Sequence, residues 1–82
     1  MHWFVYIIET QSGKFYTGIC KDINKRFEQH SGLKKGGAKF FRSDPPALLV
    51  FEESHKSQSH ALKREYEIKS MSRAQKEALI SI

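Results

Sequence analysis

Eighty-two residues, 39% hydrophobic and 28% charged, suit one small domain with a single core and exclude a disordered chain. No run approaches the ~20 consecutive apolar residues of a membrane span, and the start Met1-His-Trp-Phe4 has neither the basic region nor the cleavage site of a secretory leader. Cys20 is the single cysteine, which excludes an internal disulfide and fits a reducing cytoplasm. The net charge is +5, and it is local. Between positions 21 and 42 there are seven basic side chains (Lys21, Lys25, Arg26, Lys34, Lys35, Lys39 and Arg42) against Asp22 and Glu28; elsewhere seven bases face seven acids. An excess confined to one stretch is what a phosphate-binding surface needs.

The chain opens with residues 3–10, a nearly continuous apolar run of β-branched and aromatic residues, as expected of a strand buried on both faces. A polar break, Gln11-Ser-Gly-Lys14, and a second run over 15–19 complete a β-hairpin. Each run carries a tyrosine, Tyr6 and Tyr16, and a buried phenol needs a hydrogen-bond partner. The turn decides whether the two cooperate. A two-residue Ser12-Gly13 loop pairs positions summing to 25 and sends the tyrosines to opposite faces; a bulge or a three-residue loop shifts the sum by one and puts them on the same face. A shared site requires the second arrangement.

Asp22 is a suitable N-cap for a helix over about 23–30. Ile23 and Phe27 would face the sheet, while Arg26 and His30, four apart, project from one side. Residues 31–46 read as a loop holding Gly36-Gly37 and Phe40-Phe41, closed by Pro45-Pro46, and a third strand follows over 47–52. A second helix fits 58–70, with Ala61, Leu62 and Ile68 as its apolar face, Tyr66 at the margin and Glu65 near the middle of the stripe. A carboxylate there is costly unless it is paired or binds a metal. Ser72-Arg-Ala-Gln75 resembles a capping box opening a last helix that buries Leu79 and Ile80. The order β-β-α-β-α-α gives a small α/β (α+β) domain on one three-stranded sheet, spanning residues 1–82.

Three features carry chemistry: the tyrosine pair, Arg26 with His30, and Glu65. Each also has a plain structural explanation. The tyrosines could be amphipathic core residues, His30 could complement its helix dipole, and Glu65 could pair with Lys69 or Arg26. Together they are the parts for metal-assisted phosphodiester hydrolysis: a carboxylate for a hard cation, an arginine for the phosphate, a tyrosine or histidine for the proton. The four histidines and one cysteine lack zinc-site spacing, and Gly36-Gly37 is not part of a phosphate-loop motif.

These residues resemble the GIY-YIG nuclease superfamily, in particular its small stand-alone bacterial members, over essentially the whole chain. Phe4-Val-Tyr6 stands where that family has Gly-Ile-Tyr, so only the tyrosine carries over, and Tyr16-Thr-Gly18 stands for Tyr-Ile-Gly. The segment Lys21-Asp-Ile-Asn-Lys-Arg26-Phe looks like the family's arginine helix, and Ala61-Leu-Lys-Arg-Glu65 looks like the helix with its metal-binding glutamate. The resemblance implies a DNA endonuclease directed by structure rather than sequence, acting on branched, flapped or single-stranded DNA. A single Mg²⁺ or Mn²⁺ would sit on Glu65, held weakly until substrate adds its own oxygens. Arg26 would hold the non-bridging phosphate oxygens. Tyr6 would act as general base or water-orienting group, with His30 hydrogen-bonded to it and Tyr16 as a supporting or phosphate ligand. As a base, Tyr6 would need nearby positive charge to lower a phenol pKa of ~10. Gly18 would be structural; Lys21, Lys25, Lys34, Lys35, Lys39 and Arg42 would hold the nucleic-acid backbone. Phe40 or Phe41 could stack on an unpaired base while the other packs in the core. A protein partner could add specificity. The rival readings are a non-catalytic nucleic-acid-binding module of the same fold and a small protein-interaction domain.

Overall fold

The computed structural model describes residues 2–81; Met1, the first residue of the start read above for a leader, lies outside them. The elements are β1 (Trp3–Thr10), β2 (Phe15–Cys20), α1 (Ile23–His30), α2 (Phe40–Ser43), β3 (Pro46–His55), α3 (Gln58–Lys69) and α4 (Arg73–Ile80). The sheet is antiparallel with order β2-β1-β3. The strand that reads as buried on both faces is the central one. Val5, Ile7 and Ile8 are at most 1% exposed, each worth roughly 1.5–3 kcal/mol of transfer free energy.

Side-chain alternation along β1 splits the core into two layers. Val5 and Ile7 pack with Ala61 and Ile68 of α3, joined by Leu79 and Ile80 of α4. Tyr6 and Ile8 face the other way, towards Phe41 of α2 and the Ile23–Phe27 stripe of α1. Helices therefore cover both sides of the sheet, and the free edge of β2 separates the two layers.

The hairpin has the odd register. Tyr6 pairs with Gly18 and Ile8 with Tyr16, so paired positions sum to 24 and both tyrosines lie on the α1 side. The loop is the three residues Gln11-Ser12-Gly13, with Gly13 at φ 89°, the left-handed residue that such a loop needs. The turn is tied down from outside: Ser12 Oγ–H donates to Asp44 Oδ2 at 2.6 Å, and the Gln11 amide donates to the Pro45 carbonyl.

Helix starts follow the cap residues. Asp22 accepts from the Lys25 amide, Ser57 from the His60 amide, and Ser72 forms a complete capping box with Gln75. Three details depart from expectation. First, the segment read as loop contains α2, a single turn that Phe41 anchors by burying its ring against Tyr6 and Ile8; it stops before Pro45-Pro46, as the residue preceding proline disfavours helix. Second, β3 runs on past residue 52 to His55, because β1 begins at Trp3 and its whole length is paired. Third, Leu62 is 47% exposed and Tyr66 75% exposed, so the buried stripe of α3 is narrower than the sequence suggests. Ala61 and Ile68 alone are fully covered on that helix, and Glu65 lies at the edge of this stripe.

Candidate active site

Four of the side chains singled out from sequence meet on the α1 face of the hairpin. Tyr6 comes from β1, Tyr16 from β2, and Arg26 and His30 from α1. The rings of Tyr6 and Tyr16 are 6.4 Å apart between centroids, and Tyr16 meets His30 edge-on at 5.3 Å. Phe41 closes the cluster from behind, 4.4 Å from His30 and 4.7 Å from Tyr16.

Gly18 sets the position of the Tyr6 phenol. A Cβ at that position would meet the Tyr6 hydroxyl oxygen and stand 2.7 Å from its Cζ. The phenol therefore lies flat over β2, with its hydroxyl carried towards the free edge of the sheet. Only glycine leaves that space.

His30 is 4% exposed, and both its nitrogens are engaged. Nδ1 accepts from the Ala38 amide at 3.1 Å. A backbone N–H can only donate, so Nδ1 is unprotonated and the neutral ring carries its proton on Nε2. Nε2–H then donates to Tyr6 Oη across 2.9 Å, which leaves the phenol proton free for a third partner. Burial, with Arg26 adding to it, pushes the His30 pKa down to about 4 and keeps the ring neutral. Burial likewise raises Tyr6 to about 12, against the opposing charge of nearby Arg26. The lowered phenol pKa that a tyrosine base would need is thus reversed here: desolvation outweighs the one cation beside it.

Arg26 is itself held. Its Nη1 donates to Gln29 Oε1 at 2.9 Å and to the Gly36 carbonyl at 2.7 Å. Gly36-Gly37 brings the following loop back against the end of α1: Gly36 adopts φ 104°, and a Cβ on Gly37 would strike the Gln29 carbonyl and lie 3.0 Å from His30 Cα. That close approach delivers the Ala38 amide to His30. Gln29, Gly36, Gly37 and Ala38 are the site residues that the sequence reading missed. Adjacent glycines just after the Arg/His helix were the available signal, since glycine admits close backbone approach.

Glu65 belongs to α3, the helix that packs on the Val5–Ile7 layer of the sheet, and Lys69 pairs with its Oε2 at 3.5 Å. Its side chain is 18% exposed and makes no other hydrogen bond or ion pair among the described residues. Nor does any group of three or more His, Cys, Asp or Glu side chains gather among them. Both α3 and the Tyr6 phenol reach β2, from its two sides.

The basic residues divide. Lys34, Lys35 and Arg42 line an open groove of about 570 Å³ beside His30, Gly36 and Phe41. Lys34 also pairs with Glu28 at 3.4 Å. Lys25 and Lys39 are exposed outside the groove, and Lys21 sits over the Trp3 ring, 5.1 Å from its centroid. Cys20 is buried, and that burial raises its thiol pKa, consistent with a passive core residue.

The model of the GIY-YIG catalytic domain matches residues 2–78. The chain belongs to the GIY-YIG family. This is a nuclease-type domain, and DNA is the substrate that it suggests. The GIY-YIG chain is similar to small proteins designated UPF0213. One from Sodalis glossinidius is 42% identical over 98% of this chain and 73% of its own length; one from Staphylococcus aureus is 46% identical over 94% and 92%. The solution NMR structure of the UPF0213 protein BH0048 from Bacillus halodurans superimposes with a TM-score of 0.62 at 40% identity, covering 99% of this chain and 84% of that one. This likeness agrees with the three-stranded α+β architecture. No described helix is long and apolar enough to cross a membrane.

Proposed function

We propose that the protein is a divalent-metal-dependent DNA endonuclease, directed by the shape of its substrate rather than by sequence. The observation that carries the reading is the meeting of Tyr6, Tyr16, Arg26 and His30, from three elements, beside a groove edged by Lys34, Lys35 and Arg42. Phosphate contacts of this kind position a backbone without reading bases.

In this mechanism Arg26 exchanges one of its hydrogen bonds, to Gln29 or Gly36, for a non-bridging oxygen of the scissile phosphate, where its charge stabilises the transition state. Tyr6 orients the attacking water. Its oxygen accepts from His30, so its own proton is available to a water or phosphate oxygen that reaches the buried phenol when substrate binds. Tyr16 supports that geometry by its packing on His30. Neither Tyr6 nor His30 takes a proton in the resting state, since one is a phenol with a raised pKa and the other has both nitrogens engaged. Water-orienting is therefore the role assigned to Tyr6, in preference to general base.

Glu65 is the proposed ligand for a single Mg²⁺ or Mn²⁺. One carboxylate with an oxygen unengaged suits an ion that keeps several waters and takes the rest of its shell from substrate phosphate. Held there, such an ion would supply positive charge for the phosphoryl oxygen and lower the pKa of a bound water. Purified protein with Mn²⁺ is expected to nick flapped, branched or single-stranded DNA, and Glu65→Ala to abolish nicking while leaving binding intact. Nicking by the Glu65→Ala protein would overturn the assignment.

A second reading is a nucleic-acid-binding module without turnover, for which a protein partner supplies the context. The absence of a resting base favours it. It predicts salt-dependent binding that survives Glu65→Ala, with no cleavage in Mg²⁺ or Mn²⁺.

A further inference from the structure

A second cationic surface lies at the turn end of β2, formed by residues far apart in the chain. Lys14 and Phe15 from the hairpin, Phe40 from α2, and Arg73 and Lys76 from α4 surround an open pocket of about 300 Å³. Arg73 pairs with Glu77 at 3.5 Å; Lys14 and Lys76 make no close ion pair among the described residues, although the Lys14 charge reaches the Asp44 carboxylate on the far side of the turn and helps to lower its pKa. Arg73 is fixed in place. It stacks on the Phe15 ring, 3.7 Å from the centroid, and donates through Nη1 to the Gly13 carbonyl at 2.7 Å.

The aromatic wall makes the pocket more than a solvated charge cluster. Phe41 is 4% exposed in the core, yet its neighbour Phe40 is 39% exposed and faces the pocket. The Phe40 ring lies 5.5 Å from that of Tyr16. The pocket is thus joined through one aromatic contact to the cluster that holds Tyr6 and His30. A flat apolar surface bordered by an excess of cations has the chemistry of a nucleotide site: the base stacks and the phosphate finds charge.

We propose that this pocket binds one unpaired nucleotide of single-stranded DNA, with its base on Phe40 and its phosphate between Lys14 and Lys76. The position of this nucleotide next to the scissile phosphate rests on the nuclease reading above; the binding itself does not. A base inside a continuous duplex is stacked on its neighbours and cannot reach Phe40, so the pocket selects frayed, flapped or single-stranded substrate.

The test is fluorescence anisotropy of the full chain in EDTA, with a labelled oligothymidylate and a duplex of equal length as probes. Phe40→Ala is expected to weaken the single-strand complex by about tenfold and leave duplex binding unchanged. Phe40→Tyr should restore the single-strand affinity. Lys14→Gln, at an exposed position that the fold does not need, should lower the magnitude of the logarithmic salt dependence by about 0.7. Single-strand affinity unchanged in both Phe40→Ala and Lys14→Gln would overturn the proposal, as would equal loss of duplex binding or no oligothymidylate binding by the wild-type protein. Cleavage assays on the same proteins separate the two readings. A wild-type protein that cleaves, with a Phe40→Ala variant of unaltered strand preference, refutes the pocket and keeps the nuclease. Selective loss of single-strand binding in a protein that never cleaves does the reverse.

Discussion

His30 donates through Nε2–H to the hydroxyl oxygen of Tyr6 across 2.9 Å, although the two residues are 24 positions apart. The direction of that bond follows from the Ala38 amide on Nδ1. It leaves Tyr6, itself only 2% exposed, as a phenol whose own proton is not taken up by His30. Replacing Tyr6 by Phe removes only the hydroxyl and its hydrogen bond to His30 and keeps the ring's packing, so the fold should survive. We expect any DNA-nicking rate to fall roughly 100-fold, with circular dichroism unchanged. A Tyr6→Phe protein that nicks at the wild-type rate would refute the water-orienting role.

Acid should destabilise the protein through His30. Its pKa falls from 6.5 to about 4 on folding, so between these values the unfolded chain binds a proton that the folded chain refuses. Stability is complete above about pH 6.5 and declines as pH falls towards 4. The decline amounts to on the order of 2–3 kcal/mol from this residue. Urea unfolding across this range checks it, with His30→Gln as the variant whose curve should be flatter.

Alkali should act through Tyr6 in the opposite sense. Its phenol is raised from 10.0 to about 12, so the unfolded chain loses the proton first and stability falls as pH climbs through that window. Ultraviolet titration of tyrosinate should show a step near pH 12 that is absent from Tyr6→Phe.

Gly18→Ala should injure the site and the core together. The new methyl would collide with the Tyr6 phenol, and the ring must leave its bed over β2 and its bond to His30. We expect a loss of about 1–3 kcal/mol, as for overpacked cores, and activity reduced at least as far as in Tyr6→Phe. Thermal melting and nicking assays read the two effects separately.

Gly37→Ala tests the loop. A Cβ there strikes the Gln29 carbonyl, lifting the chain off α1 and withdrawing the Ala38 amide from His30. Nδ1 is then free to take a proton, and the His30 pKa should rise from its depressed value. NMR titration of the imidazole would show this; a pKa still near 4 would mean that burial and the Arg26 charge hold the ring neutral without the amide.

Much of the fold was legible because it is written in short-range interactions. Asp22, Ser57 and Ser72 begin their helices by bonding amides three residues on, and the apolar run of β1 declares a central strand. The four-residue spacing of Arg26 and His30 and the tyrosines on paired strands follow from helix and strand periods in the same way. These features made the architecture and the grouping of the candidate residues legible, and the resemblance of the Tyr6, Tyr16-Thr-Gly18, Arg26 and Glu65 motifs pointed to the family that the domain match bears out. What it left open was decided by packing between distant segments. Gly13 could serve more than one hairpin loop, and the three-residue loop, braced by Asp44 and Pro45, put both tyrosines on one face. The protonation of Tyr6 and His30 depends on burial and on a loop amide that no spacing rule supplies. The helix that carries Glu65 packs on the far layer because β1 alternates its side chains between two helix pairs. Lys14, Arg73 and Lys76 belong to the part of the chain whose charges balance in sequence, yet folding gathers them into one pocket. Charge counted along a chain averages over neighbours, whereas the field at a surface depends on which residues the fold brings there.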